Sequence, residues 1–436
     1  MYLTTAIILL LMAAAFILGS IFLKSPEISM FLAAIVGGIA GIAFHVGDLD
    51  FVRLVSVTVE GLFNNFDLAI LFVCASFFVN VYSYTGAMTA MTRKLISGVN
   101  NKWIILIFMA VFMIIPGALT GAGSVSVFVL GALVSTVLKY MGLNEKKSTA
   151  FVFMFAILSA ACPPINLWTM LMTAAANMPY VGFTWPLLVP ILITGAVTII
   201  YLGWGAKKED SAKILSELPE APEGMNWFRI LLPLLTVFAL ILLSLYAPFE
   251  IPVLGTPLIF LISAFVAILC NPKKTTFKEI LKVLNDTMEQ VFPLVATVIS
   301  VGALVNMMAA TGTKGLIGVT FITMPTILIY ILLLVFGPFS QGCLSYGSAI
   351  LIGAPLIFMM NTRGMDTTIV CAALSLIFPI GDCLPPSRIV GRVSIDTTGY
   401  KGSYMSFLKQ IAVPCITLGL IALLMFIKPG WFVGLK

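Results

Sequence analysis

The chain has few of the residues that carry most enzyme chemistry and most surface charge. Of its 436 residues, 10% are charged and a single one is histidine, His45, which lies at the end of an apolar run. The 7 cysteines form no CxxC pair and lie in or beside apolar segments, so the sequence indicates neither disulfides nor a metal cluster. Zinc chemistry and histidine-based catalysis are therefore disfavoured. The sequence contains no Ser/His or His/carboxylate set of the kind that an intramembrane enzyme would need, and we predict that the protein is not an enzyme.

Apolar residues make up 60% of the chain, and the mean hydropathy is +1.11. At roughly 20 apolar residues per crossing, the chain has room for about ten to twelve segments in a lipid bilayer. Because every backbone polar group must be satisfied inside lipid, these segments are predicted to be helices. The net charge of +6 is spread over loops and does not indicate a nucleic-acid partner. The predicted fold class is an all-α integral membrane protein.

The chain divides into two halves that share a pattern. A hydrophilic linker at 206–226 separates residues 1–205 from residues 227–436. Residues 105–164 align without a gap with residues 327–386, at an offset of 222. The matching positions with physical meaning are Pro116/Pro338, Ser126/Ser348, Gly131/Gly353, Gly142/Gly364, Pro163/Pro385 and Pro164/Pro386. Paired Gly/Pro interruptions in corresponding halves are typical of a transporter built from repeats.

Charge predicts how the two halves are oriented. The amphipathic stretch at 273–290 carries four lysines, whereas its first-half equivalent at 48–65 is mainly acidic. Since basic loops face the cytoplasm, the two stretches are predicted to lie on opposite faces, each as an interfacial helix along the membrane. The halves are then inverted repeats with both termini outside the cytoplasm. The first positive charge, Lys24, follows the apolar stretch Met1–Leu23, which indicates an uncleaved span rather than a signal peptide.

The first kind of interruption is a loop of small residues, Thr120–Ser126 in one half and Ser340–Ser348 in the other. Each follows an apolar run, placed at 103–115 and 322–336, that gives about 20 Å of helix, too short for a core of about 30 Å. We therefore predict two re-entrant hairpins whose tips lie halfway through the membrane, where free N–H groups bind an anion and free carbonyls bind a cation. Close helix packing through Gly and Ser is the alternative. Predicted substrate-binding residues are Ser124, Ser126, Ser345 and Ser348, and predicted Na⁺-binding residues are Thr120, Gly121, Ser126, Gly342 and Ser348.

The second kind of interruption is a pair of prolines, Pro163-Pro164 and Pro385-Pro386. Two adjacent prolines remove two backbone donors and free the carbonyls upstream, which are suitable ligands for Na⁺. Pro163 and Pro385 therefore join the predicted Na⁺ sites, and Asn166 after the first break is a predicted substrate ligand. Alternatively, the helices end there at the membrane surface.

Two charged residues flank the second break, Asp382 and Arg388. Charge near the midplane is costly and indicates function. We predict that Arg388 pairs with a substrate carboxylate, since a guanidinium offers it two parallel donors, and that Asp382 is a cation ligand or a proton-sensitive partner of Arg388. The alternatives are a mutual salt bridge, or Arg388 extending to the surface beside Arg392.

At these loops and breaks the chain resembles the large membrane subunit of the tripartite ATP-independent periplasmic (TRAP) transporters, within the ion transporter superfamily. The resemblance implies an elevator transporter with scaffold and mobile domains, Na⁺-coupled uptake of organic acids, and location in the cytoplasmic (inner) membrane of a prokaryote. It also implies a small four-helix membrane subunit and an extracytoplasmic binding protein. The chain departs from the family at Ile165-Asn166, where the first break usually continues with Ser, and at Ala122-Gly123, which replace adjacent serines. A stand-alone transporter of the same superfamily, without the accessory proteins, is therefore the alternative.

These features predict a secondary active transporter for a small organic acid, coupled to Na⁺ and moving by alternating access; an oligomer is compatible with the sequence. An H⁺-coupled or cation-exchanging antiporter of the same architecture, with Asp382 titrating, is the first alternative. A permease subunit that serves a partner protein is the second.

Overall fold

The computed structural model describes residues 2–99, 101–207, 215–216, 218–246, 255–385 and 388–436. Every regular element in these ranges is helical, which confirms the all-α prediction. The first half contains α1 (Tyr2–Leu23), α2 (Pro26–Ala43), α3 (Phe51–Phe63), α4 (Phe66–Tyr84), α5 (Ala87–Gly98), α6 (Lys102–Thr120), α7 (Gly123–Tyr140), α8 (Glu145–Ala161), α9 (Leu167–Ala176) and α10 (Thr184–Gly203). The second half contains α11 (Trp227–Tyr246), α12 (Thr256–Cys270), α13 (Phe277–Ala310), α14 (Thr313–Thr323), α15 (Thr326–Leu344), α16 (Ala349–Thr362), α17 (Thr367–Cys383), α18 (Ile389–Thr398) and α19 (Tyr404–Ile427).

Nine helical stretches in the described ranges are long and apolar enough to cross a membrane, so the protein is a multi-pass membrane protein. The order of helices in the second half parallels that in the first. Both α7 and α16 contain a five-residue π turn, Val127–Gly131 in one and Ala349–Gly353 in the other, 222 residues apart. This parallel is what a twofold repeat predicts.

The loop that precedes each broken helix is built in the same way in both halves. Gly142 and Gly364 adopt left-handed backbone conformations, with φ of 80° and 71°. Two residues later, Asn144 and Asp366 accept hydrogen bonds from the N–H groups of Lys147 and Ile369 and thereby cap α8 and α17. Glycine is favoured where φ is positive, and Asn or Asp is favoured as an N-cap, so local chemistry fixes both loops.

Two predicted boundaries are wrong. The apolar runs before the hairpin tips were placed at 103–115 and 322–336, but α6 and α15 continue through Pro116 and Pro338. Each helix has 19 residues, which gives about 28 Å of length. The argument that these arms are too short to cross a membrane therefore fails. A proline inside an otherwise apolar helix bends it without ending it when neighbouring helices satisfy the freed carbonyl.

The second-half amphipathic stretch at 273–290 is not a separate helix. It forms the beginning of α13, a helix of 34 residues that begins at a Thr276 capping box. Its counterpart α3 packs antiparallel to the other end of α13, where Asn306 Nδ2 donates to the Val57 carbonyl over 2.8 Å. Helix α4 packs along the first part of α13, where Asn80 Nδ2 donates to Thr287 Oγ1 over 2.9 Å. Together with α1, α2, α11 and α12, these helices form a first bundle, and α6–α10 with α15–α19 form a second.

Candidate functional site

The first hairpin, α6–α7, packs its tip against the first broken helix, α8–α9. The N–H of Ile165 in the break donates to the Ala118 carbonyl of α6 over 3.1 Å. Ser126 and Ser159 share a hydrogen bond of 3.0 Å. A Cβ at Gly123 would lie 2.6 Å from the Ala156 carbonyl oxygen, so only glycine allows the tip to approach this closely. The small-residue loop therefore brings the hairpin onto the break.

The second hairpin, α15–α16, packs in the same way against the second broken helix, α17–α18. A Cβ at Gly381 would overlap the Pro338 carbonyl oxygen, and one at Gly342 would lie 2.9 Å from the Pro385 carbonyl oxygen. Across this contact, Gln341 Nε2 donates to Asp382 Oδ1 over 2.9 Å. Both hairpins thus contact their own broken helix through glycine.

The two halves also contact each other through these elements. Helix α9 packs against the π turn of α16, where Gly353 faces Met172, and α18 packs against the π turn of α7, where Gly131 faces Thr397. The two hairpins and the two broken helices therefore form one cluster at the centre of the second bundle.

A buried polar network joins the halves at this cluster. Gln341 Oε1 accepts hydrogen bonds from Trp168 Nε1, over 2.8 Å, and from Ser348 Oγ, over 2.9 Å. Its amide nitrogen donates to Asp382. Trp168 also lies against Tyr346, with ring centroids 4.9 Å apart. Relative exposure is 5% or less for Trp168, Gln341, Ser348 and Asp382, so this network is closed to solvent. Buried polar groups need such partners, because an unsatisfied one costs about 1–3 kcal/mol.

The predicted substrate residues differ in how accessible they are. Three are fully buried with partners inside the protein: Ser126 bonds to Ser159, Ser348 bonds to Gln341, and Asn166 Nδ2 donates to the Ala161 carbonyl and to Ser375 Oγ. Ser345 is buried, ends α15 and has a φ of 49°, which is unusual for a residue other than glycine. Ser124 and Arg388 are partly exposed.

Arg388 holds an unusual position. It precedes α18 with a φ of 49°, and its guanidinium carbon lies 4.7 Å from the centre of the Tyr404 ring. Its Nε is buried and has no hydrogen-bond partner. The ion pairs found among the described residues are Arg53 with Asp48 and Lys436 with Asp366, so the alternative of a mutual salt bridge with Asp382 is wrong.

Side chains donate to several backbone carbonyls at the two proline breaks. Asn166 takes the carbonyl of Ala161. The Tyr180 hydroxyl donates to the Pro164 carbonyl over 3.0 Å, and the Tyr404 hydroxyl donates to the Cys383 carbonyl over 2.7 Å. Pro386 and Ser387 lie outside the described residues.

The predicted Na⁺ ligands gather at the same two tips and breaks. Thr120 donates to the Pro116 carbonyl over 2.8 Å, and Gly121 ends α6 in a left-handed conformation with a φ of 71°. Gly342 lies beside the second break, Pro163 is half-buried, and Pro385 is exposed. Asp382 is the one acidic residue in this set. It is 5% exposed, and its Oδ1 accepts the hydrogen bond from the Gln341 amide.

Sequence reasoning missed Gln341, Trp168, Tyr180 and Tyr404. A signal existed for the tyrosines, because Tyr180 stacks on Phe183 and Tyr404 packs on Phe407, and these Tyr-x-x-Phe pairs lie 224 residues apart. The offset differs by two from that of the rest of the repeat. Nothing in the sequence pairs Gln341 with Trp168, which are 173 positions apart.

Two openings lie near the cluster. A cleft of about 670 Å³ lies between α4, α13 and the first hairpin; among its lining residues are Asn80, Phe128, Asp286 and Glu289. A smaller cavity of about 350 Å³ lies below the first break, lined in part by Pro164, Tyr180 and Ile259.

The fold has known relatives among membrane transporters. The YdaH transporter of Alcanivorax borkumensis, whose crystal structure is described as having an unusual topology, matches with a TM-score of 0.61 and 16% identity over 89% of this chain and 91% of its own. MtrF of Neisseria gonorrhoeae, described with a class of antimetabolite efflux pumps, matches with a TM-score of 0.64 and 13% identity over 91% of this chain and 94% of its own. The sequence matches no family model and no curated protein. These likenesses show that the chain shares its fold with two membrane transporters, and they do not single out the TRAP family.

Proposed function

We propose that the protein is a secondary active transporter that couples a small carboxylate-bearing molecule to Na⁺. The observation that carries the proposal is the cluster of two hairpins and two broken helices, which holds a buried carboxylate and a cation without a carboxylate partner. Broken helices in paired repeats are where transporters bind their substrates and coupling ions. A transporter fold and nine apolar helical stretches in the described residues support it.

The coupling ion is assigned to Asp382. A carboxylate that is 5% exposed in a membrane protein is costly unless it is neutralised. Among the residues that the structure describes, the side chain that donates to it is the neutral amide of Gln341, and no ion pair includes it. A cation beside Asp382 would supply the missing charge. A proton would do so too, which keeps the H⁺-coupled antiporter as the second candidate.

The substrate carboxylate is assigned to Arg388. The contact with the Tyr404 ring orients the guanidinium, and the buried Nε–H is a hydrogen-bond donor without an acceptor. Arginine offers parallel donors that match a carboxylate, and burial strengthens such a pair. Helix α18, which follows Arg388, packs against the start of α7, so the partly exposed Ser124 belongs to the same region.

Alternating access is supported by the cleft of about 670 Å³ that lies between the first hairpin and helices α4 and α13 of the first bundle. Both hairpins also contact that bundle at their tips, since a Cβ at Gly121 would lie 3.4 Å from Phe72 of α4 and one at Gly347 would lie 3.2 Å from Val301 of α13. We propose an inverted-repeat elevator in which the second bundle moves against the first, with this cleft open on one face.

That face is assigned to the cytoplasm. Lys102 at the start of α6 and Lys139 near the end of α7 lie at the base of the first hairpin, where they donate to the Ala206 and Thr398 carbonyls. Basic loops favour the cytoplasmic side. The C-terminal Lys436 pairs with Asp366, at the opposite end of the broken helix that finishes at Thr398, which supports extracytoplasmic termini.

A screen of organic acids by thermal unfolding, in Na⁺ and in K⁺ at equal ionic strength, tests the substrate class, because an occupied site stabilises the protein by mass action. An acid that raises the unfolding temperature only in Na⁺ is then assayed for flux in proteoliposomes, in both directions, since one neighbour is described as an efflux pump. Flux driven by a pH gradient alone would replace Na⁺ with H⁺. Flux that requires an added extracytoplasmic binding protein, or a small membrane subunit, would favour the TRAP arrangement. No stabilisation and no flux for any acid would reject the proposal.

A further inference from the structure

Each proline break is closed by a tyrosine from the segment that follows it. Tyr180 lies just before α10, and its hydroxyl donates to the Pro164 carbonyl over 3.0 Å while accepting the Asn166 N–H over 3.2 Å. Tyr404 begins α19, and its hydroxyl donates to the Cys383 carbonyl over 2.7 Å. Each tyrosine also packs on a phenylalanine three residues later. The same device therefore occurs once in each half.

The second tyrosine has an additional contact. Arg388 lies over the Tyr404 ring, with 4.7 Å between the guanidinium carbon and the ring centre. Tyr404 thus touches the break through its hydroxyl and the proposed substrate ligand through its ring. In the first half the residue that matches Arg388 is Asn166, and no cation of the described residues lies over the Tyr180 ring.

We infer that Tyr180 and Tyr404 are positioning residues that set the geometry of the two broken helices for ion and substrate binding. A proline break releases several carbonyls, and a flexible break can direct any of them into the site. By holding one carbonyl of each break, the tyrosine hydroxyl fixes which of the others can face a cation. The Tyr404 ring in addition orients the Arg388 guanidinium so that its N–H groups can reach a substrate carboxylate. This inference rests on the proposed function.

Three variants separate these contacts. Tyr404→Phe removes the hydroxyl and keeps the ring under Arg388, whereas Tyr404→Leu removes both, and Tyr180→Phe tests the first half. Tyr82→Phe is the matched control, because the buried Tyr82 hydroxyl donates to the Ile230 carbonyl over 2.8 Å within the first bundle, away from both breaks. Any loss shared with Tyr82→Phe reflects stability alone.

We expect Tyr404→Phe and Tyr180→Phe to raise the Na⁺ concentration for half-maximal thermal stabilisation about three- to tenfold. This is the change in affinity that corresponds to the loss of one hydrogen bond. Tyr404→Phe should leave half-saturation for the acid found by the screen nearly unchanged at saturating Na⁺. Tyr404→Leu should raise it about threefold or more, because Arg388 loses its aromatic contact. Tyr82→Phe should change neither quantity.

Hydrogen–deuterium exchange gives a reading that does not depend on transport. Tyr404→Phe should speed exchange in peptides covering 380–392, and Tyr180→Phe in those covering 160–168, with no such change in Tyr82→Phe. Exchange equal to that of wild type in both break regions would overturn the inference whatever the flux assay gives. A wild-type protein without any response to Na⁺, but with faster exchange in these variants, would reject the proposed coupling and keep the positioning role.

Discussion

Substitution of Gln341 by leucine is the sharpest test of the buried network. Gln341 bonds to Trp168, Ser348 and Asp382 within 2.8–2.9 Å. Leucine is the residue at the matching position of the first half, Leu119, so the side chain is compatible with this helix. Gln341→Leu would leave an indole N–H and a carboxylate without their partners, whereas the Ser348 hydroxyl keeps the Ser345 carbonyl.

The expected cost follows from these groups. Each stranded buried group costs about 1–3 kcal/mol, and the charged one lies at the upper end, so the sum is about 3–5 kcal/mol. For a chain of this length the entropy of unfolding is about 0.9 kcal/mol/K, so the unfolding temperature should fall by about 3–5 °C.

The measurement uses a thiol-reactive dye on the detergent-solubilised protein. Cys162, Cys371 and Cys383 are buried and free, so the dye reports their exposure on unfolding. Gln410→Leu, a glutamine on α19 outside the network, is the control and should shift the unfolding temperature by less than about 1 °C.

A double substitution checks the assignment to Asp382. Gln341→Leu combined with Asp382→Leu should cost about 1–2 kcal/mol less than the sum of the two single changes, since contacting residues are not additive. Strict additivity, or a Gln341→Leu protein as stable as Gln410→Leu, would refute the energetic account of the network.

Two further predictions concern the contacts around the second break. Gly381→Ala should prevent folding or lower stability by more than about 3 kcal/mol, because the new Cβ would overlap the Pro338 carbonyl oxygen. Gly315→Ala is the control: its Cβ would meet open space, so the change should be neutral or stabilising by up to about 1 kcal/mol. The expression level and the unfolding temperature of the two variants are compared. Arg388→Lys keeps the charge but loses the planar donors and the contact with the Tyr404 ring, so half-saturation for the acid should rise about tenfold in flux assays. An unchanged half-saturation would remove Arg388 from the substrate site.

Much of the architecture could be predicted because lipid leaves the chain little choice. Apolar runs must be helices, and Gly, Pro and Asn or Asp at matching positions fix where those helices begin and end. The loop at Gly142 and Asn144 and its twin at Gly364 and Asp366 are examples in which local chemistry alone is sufficient. The ends of α6 and α15 were placed too early because the small residues that follow the two apolar runs were taken as loops.

The chemistry of the site was harder to predict because it depends on contacts between halves. Asp382 and Arg388 are conspicuous as charges in an apolar stretch, but their partners are not local. Gln341 reaches Trp168 across 173 positions, and Tyr404 reaches Cys383 from the next helix. Sequence spacing cannot show such contacts. Conversely, Ser126 and Ser348 looked like ligands in the sequence, yet both bond inside the protein.

The central claim is that Asp382 binds the coupling cation, and Na⁺-driven uptake by the purified protein in proteoliposomes tests it most directly. Asp382→Asn keeps the shape and an oxygen for the Gln341 amide but removes the charge. We predict accumulation of the selected organic acid by wild type only with an inward Na⁺ gradient, and none by Asp382→Asn. Equal accumulation when K⁺ replaces Na⁺, together with wild-type uptake by Asp382→Asn, would contradict the account.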